Sequence, residues 1–150
     1  MVVVGSVTAW SVAVALFAPD FRHLGEGDVW MDYESTLTVN LPFPQTVERV
    51  RRLLAGQGFG VLSEIDVRTT LRDKRGIEIE DYVILGACNP ELAHQALQVD
   101  RGIGVLLPCN VVVSAEDGGS TVRILNPQIM ASLTGRDELR PIADEATRRL

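Results

Sequence analysis

Apolar and polar residues alternate over residues 33–41, with Leu37 and Val39 on one side of the chain and polar residues on the other. A period of two residues is typical of a half-buried β-strand. Beyond the prolines at 42 and 44, apolar residues recur every three or four positions over residues 46–57, as on one face of an α-helix. The pattern therefore predicts a strand followed by a helix, which Gly58 ends in a left-handed conformation.

The same two periods continue along the chain and predict four more strands and four more helices. The further strands are predicted over residues 59–65, 82–86, 105–115 and 121–125. The further helices are predicted to begin at Asp66, Asn89 and Asn126 and to cover residues 139–150. A turn at Glu116-Asp117-Gly118-Gly119 joins the last two strands as a hairpin. This order favours an α+β fold, with one antiparallel or mixed sheet and helices on one face.

The first thirty residues differ from the rest of the chain. Residues 1–18 carry no charged side chain. Three interpretations stay open for them: a short transmembrane helix, a signal peptide without a basic start, or an extension upstream of a start at Met31. We assign residues 1–30 to an N-terminal extension and residues 31–150 to one domain. The protein is expected in the cytoplasm, unless residues 1–18 export it or anchor it to a membrane.

Composition narrows the class of protein. The chain has 150 residues, of which 46% are hydrophobic and 23% charged, as in ordinary globular domains. Its net charge of −6 disfavours a nucleic-acid partner, because binding to phosphates needs a basic surface. Two cysteines cannot build a disulfide framework, and their spacing matches no zinc-finger motif.

The triplet Cys88-Asn89-Pro90 stands between a predicted strand and a predicted helix. Asn89 is a typical N-cap, and Pro90 is a typical first helical residue. A thiol at this position lies near the positive end of the helix, which would lower its pKa and favour the thiolate. Alternatively, Cys88 is a small apolar side chain that fills the end of a central strand. Both interpretations stay open.

Other polar or sulfur-containing residues are weaker candidates. Cys109 alternates with Val111 on the apolar side of its strand, which favours a structural role. Asn110 lies on the opposite side and would be a candidate ligand contact if it were buried. His94 lies on the polar side of its helix, and Asn126 stands at the start of a later one. Solvation and helix capping explain these two residues more simply than ligand binding.

Several of these side chains together form a set of soft donors. Its members are Cys88, His94, Cys109 and Met130. Such donors would suit a soft metal ion or haem, although their spacing matches no known metal motif.

Two blocks of sequence resemble the domain of unknown function family DUF302. They read G-A-C-N-P-E-L-A at residues 86–93 and L-L-P-C-N-V-V-V at residues 106–113, and the resemblance extends over about residues 32–150. It implies a fold like that of the TATA-binding protein, with a curved antiparallel sheet, helices on one side, and commonly a homodimer. The resemblance does not imply DNA binding, because proteins with the same fold can have different functions. Asn126 departs from the Asp expected before Pro127, so no acidic role is expected there.

Three hypotheses about function follow. The first is a non-catalytic, homodimeric binding module that holds a small polar or anionic ligand at helix N-termini. Its candidate contacts are Cys88, Asn89, His94, Asn110 and Asn126. The second is a thiol, soft-metal or haem site centred on Cys88. The third is a purely structural or interaction domain, and no motif favours an enzyme.

Overall fold

A five-stranded antiparallel sheet forms the centre of the fold in the computed structural model, which describes residues 33–150. The predictions for residues 1–30 lie outside this range. The strands are β1 (Glu34–Val39), β2 (Gly60–Asp66), β3 (Tyr82–Cys88), β4 (Cys109–Glu116) and β5 (Gly119–Leu125). Their order across the sheet is β1-β5-β4-β3-β2, and every neighbouring pair is antiparallel. The predicted α+β class is confirmed, and the sheet is antiparallel rather than mixed.

Five α-helices connect or follow the strands. They are α1 (Phe43–Gly56), α2 (Val67–Arg75), α3 (Pro90–Val99), α4 (Ile129–Thr134) and α5 (Arg140–Arg149). Two short 3₁₀ helices, Arg101–Leu106 and Asp137–Leu139, complete the order. Four α-helices, all except α2, contribute buried side chains to the hydrophobic core.

Short-range signals in the sequence place several helix ends. The Asp66 side chain accepts a hydrogen bond from the backbone N–H of Thr69 at 2.9 Å and caps α2. At the other end of α2, Gly76 takes a left-handed conformation with φ of 64°. Gly58 is also left-handed and lies two residues beyond α1. These predicted helix ends are confirmed.

The core lies on one face of the sheet. The registers of β3, β4 and β5 place Leu85 beside Val111, and Val113 beside Val122. All four side chains are buried against the helices that cover this face. Alternation of side chains along each strand therefore directs one set of residues into the core and the other to the opposite face.

The second face of the sheet, called here the open face, carries a row of paired residues from four strands. Ile65 pairs with Ile84, Ile84 with Val112, and Val112 with Arg123. None of these side chains belongs to the core cluster. Ile65 remains 49% exposed, so an aliphatic stripe of Ile65, Ile84 and Val112 lies on this face.

The predicted strand over residues 105–115 was wrong at its start. Residues Arg101–Leu106 form a 3₁₀ helix, and β4 begins only at Cys109. The Asp100 side chain caps this 3₁₀ helix by accepting from the N–H of Gly102 at 2.8 Å. Val105 is 88% exposed, so an apolar run at this point does not enter the sheet.

The predicted start of the fourth helix also shifts. Asn126 accepts a hydrogen bond from the N–H of Gln128 at 3.0 Å, which forms a turn, and α4 begins at Ile129. Gly135 ends α4 in the left-handed conformation, as predicted. Within residues 33–150, no helix combines the length and apolar character needed to cross a membrane.

Gly119 provides a test of the β1–β5 register. A Cβ atom there would overlap the backbone carbonyl oxygen of Val39, while a Cβ at Gly56 would meet nothing within 4 Å. We expect Gly119→Ala to destabilise the fold by about 1–3 kcal/mol, because backbone rather than a flexible side chain must move. Gly56→Ala, at the end of α1, is the matched control and should be neutral or stabilising by up to about 1 kcal/mol. Urea unfolding measures both, and equal stabilities would contradict the register.

Candidate functional site

A crevice between one end of the sheet and helices α3, α4 and α5 brings both cysteines together with Met130. We call it the cysteine crevice. Its volume is about 330 Å³ including the open mouth. Eight further lining residues are apolar: Phe59, Ala87, Leu92, Ala93, Ala96, Leu107, Ile142 and Ala146. Asn89 is the remaining lining residue.

Cys109 forms the inner part of the crevice. It begins β4, pairs with Ala87 of β3, and is only 6% exposed. The pKa of the Cys109 thiol is raised to about 11, mainly by burial. The neighbouring Cys88 contributes a smaller part of this increase. Cys109 is thus a protonated thiol at neutral pH, and its predicted position on the core face is confirmed.

Cys88 ends β3 and is partly exposed at the crevice. Burial raises the pKa of its thiol, the opposite of the lowered pKa that a nearby helix start would produce. The two cysteines are separate thiols. Desolvation is the cause of this increase in pKa.

Asn89 caps the start of α3 beside the crevice. Its side-chain oxygen accepts hydrogen bonds from the N–H groups of Glu91 and Leu92, both at 3.1 Å. The predicted N-cap is confirmed, and Pro90 is the first residue of α3. The N–H donors that we expected to be available to an anionic ligand are instead used by the protein's own cap.

The same correction applies at Asn126. Its side-chain oxygen is occupied by the N–H of Gln128, and its backbone carbonyl accepts from Ile129 at 3.1 Å. The helix that follows, α4, has only six residues. Asn126 therefore builds a turn and does not line the crevice.

Two other predicted contacts lie away from the crevice. His94 is exposed on α3, and Asn110 is exposed on the open face, next to Gly86. Of the soft donors proposed from the sequence, the structure brings together Cys88, Cys109 and Met130 and separates His94 from them.

Sequence reasoning missed the apolar walls of the crevice. Phe59 stands just before β2 and is 3% exposed, while Leu107 comes from the segment predicted to be strand. Ala93 and Ala96, both on α3, keep that helix wall small. The two alanines can be recognised in the sequence as small residues on one side of a helix. The sequence does not indicate which other elements pack opposite them.

A second groove lies beneath α1 and is larger, at about 510 Å³ including its mouth. Aliphatic side chains of α1 and the sheet line it, and Arg149 stands at its rim. The Arg149 guanidinium is paired with Glu145 at 2.6 Å, so its charge is already compensated. This groove contains no sulfur or other soft donor.

Metal-binding clusters of the common type are absent from residues 33–150, where no three His, Cys, Asp or Glu side chains are arranged to hold an ion. The cysteine crevice contains only two residues of these types, Cys88 and Cys109, and Met130 is its third sulfur-containing residue. No charged side chain of the described chain lines the crevice.

The fold and the crevice together define a small α+β domain with one antiparallel sheet and a largely apolar crevice at its helical side. A model of the family described as "Domain of unknown function DUF302" matches residues 35–150, and the chain belongs to this family. It is also similar to the crystal structure of an uncharacterized conserved DUF302 protein from Bacillus stearothermophilus. The two are 30% identical with a TM-score of 0.73, and the match covers 79% of this chain and 92% of that one. No curated protein matches the chain.

The raised pKa of Cys88 predicts a slow thiol. At pH 7 an aromatic disulfide reagent should react with Cys88 of the native protein much more slowly than with the urea-unfolded chain, because little thiolate is present. The rate should increase as the pH passes above about 8.5, the ordinary value for cysteine. In the Cys109→Ala variant only the Cys88 thiol can react with the reagent. The Cys88→Ala variant gives the background rate. Fast reaction with a midpoint at or below neutral pH would contradict this prediction.

Proposed function

We propose that this domain is a non-catalytic binding module that holds a small ligand in the cysteine crevice. The observation that carries the proposal is that Cys88, Cys109 and Met130, from β3, β4 and α4, all line one partly open cavity. Elements far apart in the chain must pack together to form it. A cavity of this kind is the usual place for a small ligand.

The protonation state of the two thiols favours binding over catalysis. A nucleophilic cysteine needs a lowered pKa or a neighbouring base. The pKa values of Cys88 and Cys109 are both raised, and no His, Asp or Glu side chain of residues 33–150 lines the crevice. Two protonated thiols in apolar surroundings can contact a small molecule, but neither is activated to attack one.

The chemistry of the walls sets the kind of ligand. The polar or anionic ligand expected at helix N-termini finds few donors here, because Asn89 already caps α3. The surroundings of the thiols are almost entirely apolar, so the crevice favours a small, neutral or soft ligand.

Dissolved xenon is a suitable probe, because it enters small apolar cavities without needing a hydrogen bond. We expect xenon to shift backbone amide NMR signals of residues around the crevice, including Leu92 and Cys109. Ala93→Leu should abolish these shifts by filling one wall. Gln95→Leu, on the exposed side of the same helix, is the matched control and should preserve them. Shifts centred on the groove beneath α1, or none at all, would overturn the proposed site.

We further propose that two copies of the domain associate through the open face. Ile65, Ile84 and Val112 form a continuous aliphatic stripe there, and no residue of the stripe packs into the core. Such a face gains free energy when another apolar face removes it from water. A second sheet packed on it in an isologous dimer would complete a sandwich.

The dimer can be tested at Ile65. We expect Ile65→Lys to shift the protein toward monomer in sedimentation equilibrium, because a dimer would bury the new ammonium group against aliphatic side chains. Leu133→Lys is the matched control, since Leu133 is similarly exposed (56%, against 49% for Ile65) but lies on α4. It should leave the association unchanged. A monomeric wild-type chain, or equal effects of both variants, would exclude this interface.

A further inference from the structure

We propose that the groove beneath α1 is a second ligand site, which takes a small amphipathic carboxylate, that is, an aliphatic chain with one carboxylate group. The chain would lie on the floor of the groove, and the carboxylate would bind Arg149 at the rim. This site is separate from the cysteine crevice, so the inference does not depend on the function proposed above.

The floor of the groove is the core face of three neighbouring strands. Leu37 of β1 pairs with Val122 of β5, and Val111 of β4 pairs with Ile124 of β5. All four side chains line the groove. Strand register thus places four aliphatic residues side by side on one surface.

The helices cover this floor incompletely. Leu37 and Ile124 are only partly buried, and so are Leu53 of α1 and Leu150 at the end of α5. The volume of about 510 Å³, including the mouth, lies within the range of roughly 300–1,000 Å³ that is common for small-molecule sites. An aliphatic chain bound here would remove apolar surface from water, which favours binding.

Two polar side chains at the rim can hold the other end of the ligand. Gln57 and Arg149 are the polar residues among those that line the groove. Within residues 33–150, Arg149 donates hydrogen bonds through Nε alone, so its terminal nitrogens remain available. A Cβ atom at Gly58 would lie 3.7 Å from Nη1 of Arg149, which places the guanidinium beside the turn that follows α1. The donors of Gln57 and Arg149 therefore meet at one end of the groove.

The carboxylate that compensates Arg149 is shared with a second arginine. Glu145 accepts from Nε of Arg149 at 2.6 Å, and from Nε and Nη2 of Arg148 at 2.9 Å and 2.6 Å. One carboxylate thus faces two guanidinium groups, and the three side chains together keep one positive charge. A guanidinium with free terminal nitrogens suits a further carboxylate, because its planar group can donate two parallel hydrogen bonds.

The two helices beside the groove are basic, although the whole chain has a net charge of −6. Helices α1 and α5 together carry six arginines against three acidic residues, a net charge of +3. This excess stays positive after counting Glu64, which pairs with Arg51, and even with a terminal carboxylate at Leu150. The local potential therefore favours an anionic head group over a neutral or cationic one.

The experiment titrates the full-length protein with octanoate and follows binding by calorimetry and by backbone amide NMR. We expect one octanoate per chain, with signal shifts at residues around the groove such as Leu53 and Val122. 1-Octanol has the same chain length without the charge. It should bind about tenfold more weakly or worse, because it cannot form charge-assisted hydrogen bonds with Arg149.

Arg149→Gln should weaken octanoate binding by about tenfold or more and remove the preference over 1-octanol. Arg148→Gln is the matched control, because it also removes one arginine partner of Glu145 but lies outside the groove. Arg148 is exposed, so its charge is screened at physiological salt, and the control should bind octanoate nearly as the wild type does.

Equal affinities of the wild type for octanoate and 1-octanol, or equal effects of the two arginine variants, would refute recognition of a carboxylate at Arg149. No binding, or NMR shifts centred on the cysteine crevice, would refute the groove as the site. The xenon experiment tests the crevice separately, so the failure of one site is distinguishable from the failure of the other.

Discussion

The pairing of β3 with β4 is the constraint on which the rest of the structure depends. It places Leu85 beside Val111 at the fully buried centre of the sheet, and it places Ala87 beside Cys109 at the sheet's end. A shift of one residue would turn each of these side chains to the opposite face. The same register therefore determines the core, the position of both cysteines and the aliphatic stripe on the open face.

Desolvation, rather than charge, controls the chemistry of the crevice. Asn89 satisfies the first N–H groups of α3, so the helix start contributes a cap more than a binding site. Burial then raises the pKa of both thiols and keeps them protonated. A crevice with these properties discourages nucleophilic chemistry and suits a small ligand that needs no ionised partner. This is why a small neutral ligand matches the site better than an anion does.

Much of the fold could be predicted because its signals are local. The caps at Asp66 and Asn89 and the left-handed glycines act over one helical turn, so they can be read without knowing the partners. The start of the strand predicted over residues 105–115 was wrong because its apolar residues suited two conformations. A cap at Asp100 and the packing of Ile103 into the core favoured a 3₁₀ helix that extends to Leu106.

The sequence by itself determined the succession of strands and helices, the face of each that is apolar, and the presence of four candidate soft donors. Periodicity and capping carry that information because neighbours along the chain interact directly. Only the tertiary structure decided that Cys88, Cys109 and Met130 share one cavity and that His94 lies outside it. The reason is physical: the distance between these side chains depends on strand register and helix packing, which join residues far apart in sequence.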